Sequence, residues 1–283
     1  MNCQKNLPPF PLWENAVRKV RRFSPVVHCI TNYVTAGWCA DALLAAGAAP
    51  IMADEPEEMD DITSIAGSLV LNIGTLRQTS LVSMRRAAET ANRLNKPVLL
   101  DPVGAGASRL RTESALSLLN GFHPAVVRGN ISEILALAGC TAESRGVDAD
   151  PAALVHPDRM TESAEWAAQL ARRWRCVVAV SGPVDIISDG RHTCAVGGGD
   201  PMMARITGCG CMLSALCGAF LAEETDPWNA VSACFAMMCL CGGYAAQSVR
   251  AAGGGTASFR IRLLDALSLF SPERLAGAAV QIL

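Results

Sequence analysis

Lysine is nearly missing from this chain: Lys5, Lys19 and Lys96 are its complement in 283 residues, and the formal net charge is -2. With aromatics at 5% as well, there is no basic patch with interleaved rings, which argues against a nucleic-acid partner. The shortage also means that a phosphate site must rely on backbone, arginine or metal. No Gly-x-x-x-x-Gly-Lys-Ser/Thr loop is present, which excludes a P-loop NTPase. No Gly-x-Gly-x-x-Gly opens a first βα unit, so a dinucleotide oxidoreductase has little support. His-Glu-x-x-His is absent, the four histidines are scattered, and no Gly-x-Ser-x-Gly elbow marks an α/β-hydrolase. Met1 to Pro11 is polar and proline-rich, unlike a secretory signal, and the expected location is the cytoplasm.

What the chain has in quantity is apolar surface. Hydrophobic residues make up 51% of it, enough for a sizeable core and against global disorder. The length suits one large α/β domain or two ordinary ones. No internal repeat and no linker separates two cores, so the expectation is a single domain over residues 1–283. Most of the twelve cysteines, among them Cys29, Cys176, Cys217 and Cys234, sit in apolar stretches. That suits buried thiols in a reducing compartment better than disulfides. The pair Cys239/Cys241 cannot clasp one metal ion from a helix, because residues two apart lie roughly 200° apart around the axis. The uncharged stretch between Asp226 and Arg250 is long enough to span a bilayer. Asn229, Ser232, Gly242-Gly243, Gln247 and Ser248 interrupt it, so it reads as a buried core helix and not as a membrane segment.

Apolar periodicity gives an alternation of short buried strands and helices. Strands are expected at Val26–Ile30, Ala49–Met52, Leu69–Ile73, Pro97–Asp101, Ala125–Val127 and Cys176–Val180, with a hairpin turning at Asp189-Gly190. Helices are expected at Leu12–Phe23, Val34–Ala46, Glu55–Ala66, Leu81–Leu94, Thr112–Leu119, Ile131–Ala138, Thr161–Trp174 and Phe259–Phe270, besides two apolar ones after Ile206. Asn130 and Glu133 have capping-box spacing. Residues 141–159, rich in charge and turns, are the expected mobile insertion. This order implies a mostly parallel sheet with helices on both faces. In such sheets ligands bind beyond the carboxyl ends of the strands. Those ends carry Asn32, Met52, Asn72, Asp101, Arg128 with Asn130, and Ser181.

The most informative stretch comes late: Thr207-Gly208-Cys209-Gly210-Cys211-Met212-Leu213, leading into an uncharged helix. Glycines leave backbone N–H groups open where the helix begins, and the helix dipole adds partial positive charge there. Together these make an anion site, typically for phosphate. A glycine-rich turn feeding a core helix is the plainer alternative.

Six segments in order carry a specific resemblance. They are Val27 to Thr35 (VHCITNYVT), Pro50 to Asp54 (PIMAD), Leu71 to Leu76 (LNIGTL), Leu100 to Ala107 (LDPVGAGA), Val127 to Ile134 (VRGNISEI) and Thr207 to Leu213 (TGCGCML). Together they resemble hydroxyethylthiazole kinase, over about Pro25 to Leu267. The resemblance implies a ribokinase-like α/β fold, a homotrimer, and MgATP-dependent phosphorylation of the hydroxyethyl group of a thiazole in thiamine salvage. Carried over by position, Asp101 and Glu133 are the acidic residues near Mg²⁺, a cation that takes oxygen ligands and keeps waters. Arg128 and Ser181 are nucleotide contacts, and Asn32, Met52 and Gly208 are thiazole-pocket positions. Cys211 stands beside the reacting hydroxyl, where many ribokinase relatives carry an aspartate base. Two positions depart from the family pattern: Cys209 replaces a threonine, and Ala257 replaces the second glycine of a Gly-Thr-Gly-Ser-Phe loop. Both border the nucleotide side in the resemblance. Other readings remain: a kinase of a pyrimidine or pyridoxal-type alcohol, or a non-catalytic nucleotide- or thiazole-binding relative.

Overall fold

Continuous runs of Val, Leu and Ile suit strands buried on both faces, and that is how the central sheet is built. The computed structural model describes residues 8–139 and 160–283. Along the chain run α1 (Phe10–Phe23), β1 (Val26–Ile30), α2 (Ala36–Ala46), β2 (Ala49–Ile51), α3 (Met59–Ile65), β3 (Ser68–Asn72), α4 (Gln78–Arg93), β4 (Val98–Asp101) and α5 (Arg109–Phe122). They are followed by β5 (Val126–Asn130), α6 (Ile131–Ala138), α7 (Met160–Trp174), β6 (Val177–Ser181), β7 (Asp185–Ser188), β8 (Thr193–Val196), α8 (Cys209–Glu223), α9 (Pro227–Ala251), α10 (Thr256–Ser268) and β9 (Val280–Ile282).

The described strands form one nine-stranded sheet in the order β2-β1-β3-β4-β5-β6-β7-β8-β9. The first six in that order are mutually parallel, and β7, β8 and β9 add on antiparallel. Because β1 pairs with β2 on one side and β3 on the other, the winding direction reverses there. That switch point opens a crevice at the carboxyl ends of β1 and β3. Strand side chains alternate between two apolar layers. Val27, Cys29, Val70 and Leu99 pack with α1, α2, α8, α9 and α10. Ile30, Leu69, Leu71, Leu100 and Val127 pack with α3 to α7.

Helix α8 lies hard against β1 and β3. A Cβ at Gly218 would come within 2.6 Å of Val70 Cγ2 and 2.8 Å of Val27 Cγ1, so only glycine permits this approach. Ser68 Oγ donates to the Gly218 carbonyl at 2.7 Å, pinning the helix to the sheet. Its first turn therefore opens at the carboxyl ends of the strands. Helix α9 is long and apolar enough to cross a membrane by length and composition, but 78% of its most apolar window is buried within the protein. It is a core helix, as its interrupting polar residues predict.

Besides shifts of up to three residues at the ends of α4, α10 and β5, three elements differ from expectation. Helix α5 extends from Arg109 to Phe122, because Ser108 accepts from the Arg111 N–H and starts it a turn earlier. The expected Glu55–Ala66 helix begins as a 3-10 turn at Pro56–Glu58, where proline fixes the first φ. Strand β9 was not anticipated; its three residues are too few for periodicity and gain order by pairing with β8. The proposed mobile insertion at 141–159 lies outside the described residues.

Candidate active site

The parallel register brings the polar strand ends side by side: Asn72 pairs with Asp101, and Asn130 with Ser181. Asp101 ends β4 fully buried. Its Oδ2 accepts from Asn72 Nδ2 and Ser214 Oγ, each at 2.7 Å, and lies 3.9 Å from Arg128 Nη1. Its Oδ1 is buried with no hydrogen-bond partner. Burial pushes this carboxyl up to about 6; the Arg128 charge opposes that rise, and the Glu133 charge adds to it.

Glu133 closes the capping box that its spacing predicts. Its Oε2 accepts from the Asn130 N–H at 2.8 Å, while Asn130 Oδ1 accepts from the Glu133 N–H at 2.9 Å. Its Oε1 also accepts from the Gly104 N–H at 2.8 Å, which ties the β4–α5 loop to the start of α6. A carboxylate has about four acceptor positions, so capacity remains for a cation on the same oxygens. Among the described residues no group of three or more His, Cys, Asp or Glu forms a metal cage.

Arg128, on β5, is 7% exposed. Its Nη2 donates to Ser181 Oγ at 2.8 Å, and its Nε is buried without a partner. Burial works against its charge, but Asp101, Asp185 and Glu133 outweigh that and raise its pKa. The guanidinium forms one wall of a cavity of about 560 Å³, lined also by Ser181, Asp185, Met203, Cys209 and Gly210. Of the two family departures, Cys209 faces this cavity, whereas Ala257 sits exposed in the first turn of α10 and does not line it. Asp185, which the motifs did not single out, accepts from the Gly182 N–H at 3.0 Å and the Cys239 thiol at 3.4 Å.

Helix α8 starts at Gly208, whose φ of 87° lies in the left-handed region, and no side chain caps it. A Cβ there would meet Thr35 Cγ2 at 2.6 Å, so the turn needs glycine for both conformation and space. The Met212 N–H bonds the Gly208 carbonyl, which leaves the amides of Cys209, Gly210 and Cys211 ahead of the first intrahelical bond. The Cys211 sulfur accepts from Asn32 Nδ2 at 3.3 Å and Asn72 Nδ2 at 3.2 Å. Its pKa is raised, first by burial and then by the Asp101 charge, while contacts to Thr35, Asn72 and Asn32 pull the other way.

The structure thus joins Asn32, Asp101 and Cys211 in one network through Asn72, and joins Arg128 to Ser181 beside the cavity. Met52 follows β2, one strand away from Asn32, partly buried against the α8 side of the core. Ser214 and Thr35 were missed. Ser214 lies three residues after Cys211 and so on the same helix face, but a helix apolar nearly all round does not mark which face meets Asp101.

Comparison with known proteins gives a consistent result. A family model described as "Hydroxyethylthiazole kinase family" matches residues 17–273. A hydroxyethylthiazole kinase of Desulfovibrio desulfuricans is 45% identical over 270 residues, covering 92% of this chain and 94% of that protein. The solved structure of the hydroxyethylthiazole kinase protein from Pyrococcus horikoshii OT3 superposes with a TM-score of 0.83 at 36% identity, covering 96% of this chain and 99% of the other. A ribokinase-like superfamily protein from Enterococcus faecalis V583, at 11% identity, shares the fold with a TM-score of 0.62 over 94% of this chain and 95% of its own.

Proposed function

The chain belongs to the hydroxyethylthiazole kinase family, and from that premise we propose that it transfers a phosphoryl group from ATP to the hydroxyl of 4-methyl-5-(2-hydroxyethyl)thiazole in thiamine salvage, as a single-domain cytoplasmic homotrimer using Mg²⁺. The observation that carries the reading is the meeting of three features at the carboxyl ends of the central strands. These are the uncapped start of α8, the buried Asp101–Cys211 network, and the cavity walled by Arg128 and Ser181.

Phosphoryl transfer asks a protein mainly for position and electrostatic stabilisation. Arg128 fits the nucleotide phosphates, because its Nε is unpartnered and its Nη2 is steadied by Ser181. The open amides at the start of α8 stabilise charge on the transferring group. Asn32, Met52 and Gly208 are assigned to the thiazole, and they flank the crevice at the β1/β3 switch point. Cys211 holds the place beside the attacking hydroxyl. Its raised pKa keeps most of it protonated at neutral pH, so its help as a base is modest.

The orphaned Oδ1 of Asp101 is the donor that a divalent cation would use, with Glu133 as the second oxygen source. Two carboxylates without a cage suit Mg²⁺, which keeps waters and binds substrate phosphates. When bound, it would neutralise phosphate charge. Asp101→Ala is expected to suppress turnover severely while the protein stays folded; near-normal turnover at saturating Mg²⁺ removes Asp101 from the site.

The function itself is tested by a panel of alcohols with MgATP under single-turnover conditions. Thiazole phosphate is the expected product. Preference for a pyrimidine or pyridoxal-type alcohol reassigns the substrate, and absence of any phosphorylated product leaves a binding protein.

A further inference from the structure

Asn72, at the carboxyl end of β3, is 2% exposed. Its Oδ1 accepts from Asn32 Nδ2 at 3.1 Å and the Gly74 N–H at 2.9 Å. Its Nδ2 donates to Asp101 Oδ2 at 2.7 Å and to Cys211 Sγ at 3.2 Å. A primary amide carries two N–H donors and two acceptor lone pairs, so every group is engaged. The orientation is forced as well. Exchanging oxygen and nitrogen would set a carbonyl oxygen against a carboxylate, and an N–H against the Gly74 N–H.

Asn32 is fixed by the same logic. Its Oδ1 accepts from the Thr35 N–H at 3.1 Å and Thr35 Oγ1 at 3.0 Å, which leaves Nδ2 for Asn72 and the sulfur. The Cys211 sulfur therefore faces two amide N–H groups, neither of which can turn away without losing its other bonds. Among the described residues, Asn72 alone hydrogen-bonds both the thiol and the buried carboxylate.

We propose that Asn72 is a positioning residue for phosphoryl transfer, holding the Cys211 sulfur and the Asp101 carboxylate at a fixed separation through one rigid amide. The proposal rests on the kinase reading above. Without the amide, Asp101 keeps Ser214 as its remaining close hydrogen-bond donor, Asn32 loses one of its two acceptors, and the sulfur loses one of its two amide donors. Reaction rates fall steeply when reacting groups are displaced by about 1 Å, so the loss belongs in kcat.

The test is a double-mutant cycle with Cys211. Asn72→Ala is expected to lower kcat by roughly 10- to 100-fold, with KM for both substrates within about threefold. In a Cys211→Ala background, the same substitution is expected to lower kcat by less than about threefold, because residues acting as a unit are not additive. Equal losses in the two backgrounds, or a loss confined to KM, overturn the proposal. A crystal structure of the Asn72→Ser variant without substrate gives a readout independent of activity. Displacement of the Cys211 sulfur or the Asp101 carboxylate by more than about 0.5 Å supports the assignment, and both groups staying in place overturns it. Failure of the kinase reading shows separately, as a parent chain that makes no thiazole phosphate.

Discussion

At the scale of single residues, the site concentrates ionisable side chains at buried positions. Asp101 and Asp185 are both pushed up to about 6 by burial, from an ordinary 3.8. For Asp185, the Gly182 N–H and the Arg128 charge favour the ionised form without overcoming desolvation. A carboxyl whose native pKa lies above its unfolded value binds its proton more tightly when folded. Between about pH 4 and 6 the native state holds more protons, so stability falls as pH rises, and the full penalty stands above that window. A rise of about two pKa units corresponds to about 3 kcal/mol. Asp185→Asn removes the ionisation and keeps an acceptor for Gly182. Its Tm is expected to exceed the parent's by several degrees at pH 7.5, with the two converging toward pH 4. Parallel Tm curves across that range contradict the assignment. Cys211 sits under opposing influences, since burial and the Asp101 charge disfavour thiolate while two amides and the helix start favour it. Cys211→Ala is expected to lower kcat by roughly tenfold to a thousandfold with little change in KM. Cys211→Asp is expected to stay active. Parental turnover by the alanine variant across pH 6 to 9 makes Cys211 a packing residue.

At the scale of elements, the start of α8 lies between the proposed nucleotide side and the Cys211 thiol. A Cβ added at Gly210 would stand 2.7 Å from Arg128 Nη1, so the guanidinium must move. Gly210→Ala is therefore expected to raise KM for ATP by roughly tenfold or more, since charge-assisted contacts to phosphate are worth about 1.5–3 kcal/mol. The KM for the thiazole should change little. Kinetics with each substrate varied in turn separate these outcomes, and equal rises in both KM values contradict the assigned role. This helix start was legible as a helix start because glycines run directly into a long uncharged stretch, although the glycines alone leave a plain turn into a core helix equally open. Strand ends at Asn32, Asp101 and Arg128 were legible too, because buried apolar runs terminate abruptly in polar residues. What the helix pattern concealed was Ser214. An α8 that is apolar on nearly every side gives no sign of which face meets Asp101. Asp185 was hidden for a related reason: it opens a hairpin strand, where a carboxylate reads as an ordinary turn residue. The bond from Asn72 to Cys211 joins residues 139 positions apart, and no local spacing reports such a meeting.

At the scale of the whole molecule, the two edges of the sheet are finished differently. Strand β9 closes one edge, and β2, three partly exposed residues paired with β1, ends the other. Beside β2, the β1–α2 connection and α2 carry exposed apolar side chains: Tyr33 at 75%, Val34 at 52% and Leu44 at 60%. Open edges and apolar faces are ordinarily covered, and a second copy of the chain is the covering that a homo-oligomer supplies. The proposed copy number of three is the one that the sequence resemblance implies. Asn32 and Met52 lie at this same end of the sheet, whereas the Arg128–Ser181 cavity is lined from β5, β6, β7, α8, α9 and the loop before α8. Assembly should therefore complete the thiazole side and leave the nucleotide side self-contained. Sedimentation is expected to show a species of three chains. Dilution that dissociates it is expected to raise KM for the thiazole, while KM for ATP holds within about twofold, as loss of uniform binding to one substrate requires. A monomer that turns over with the parental KM for both substrates ends the proposal.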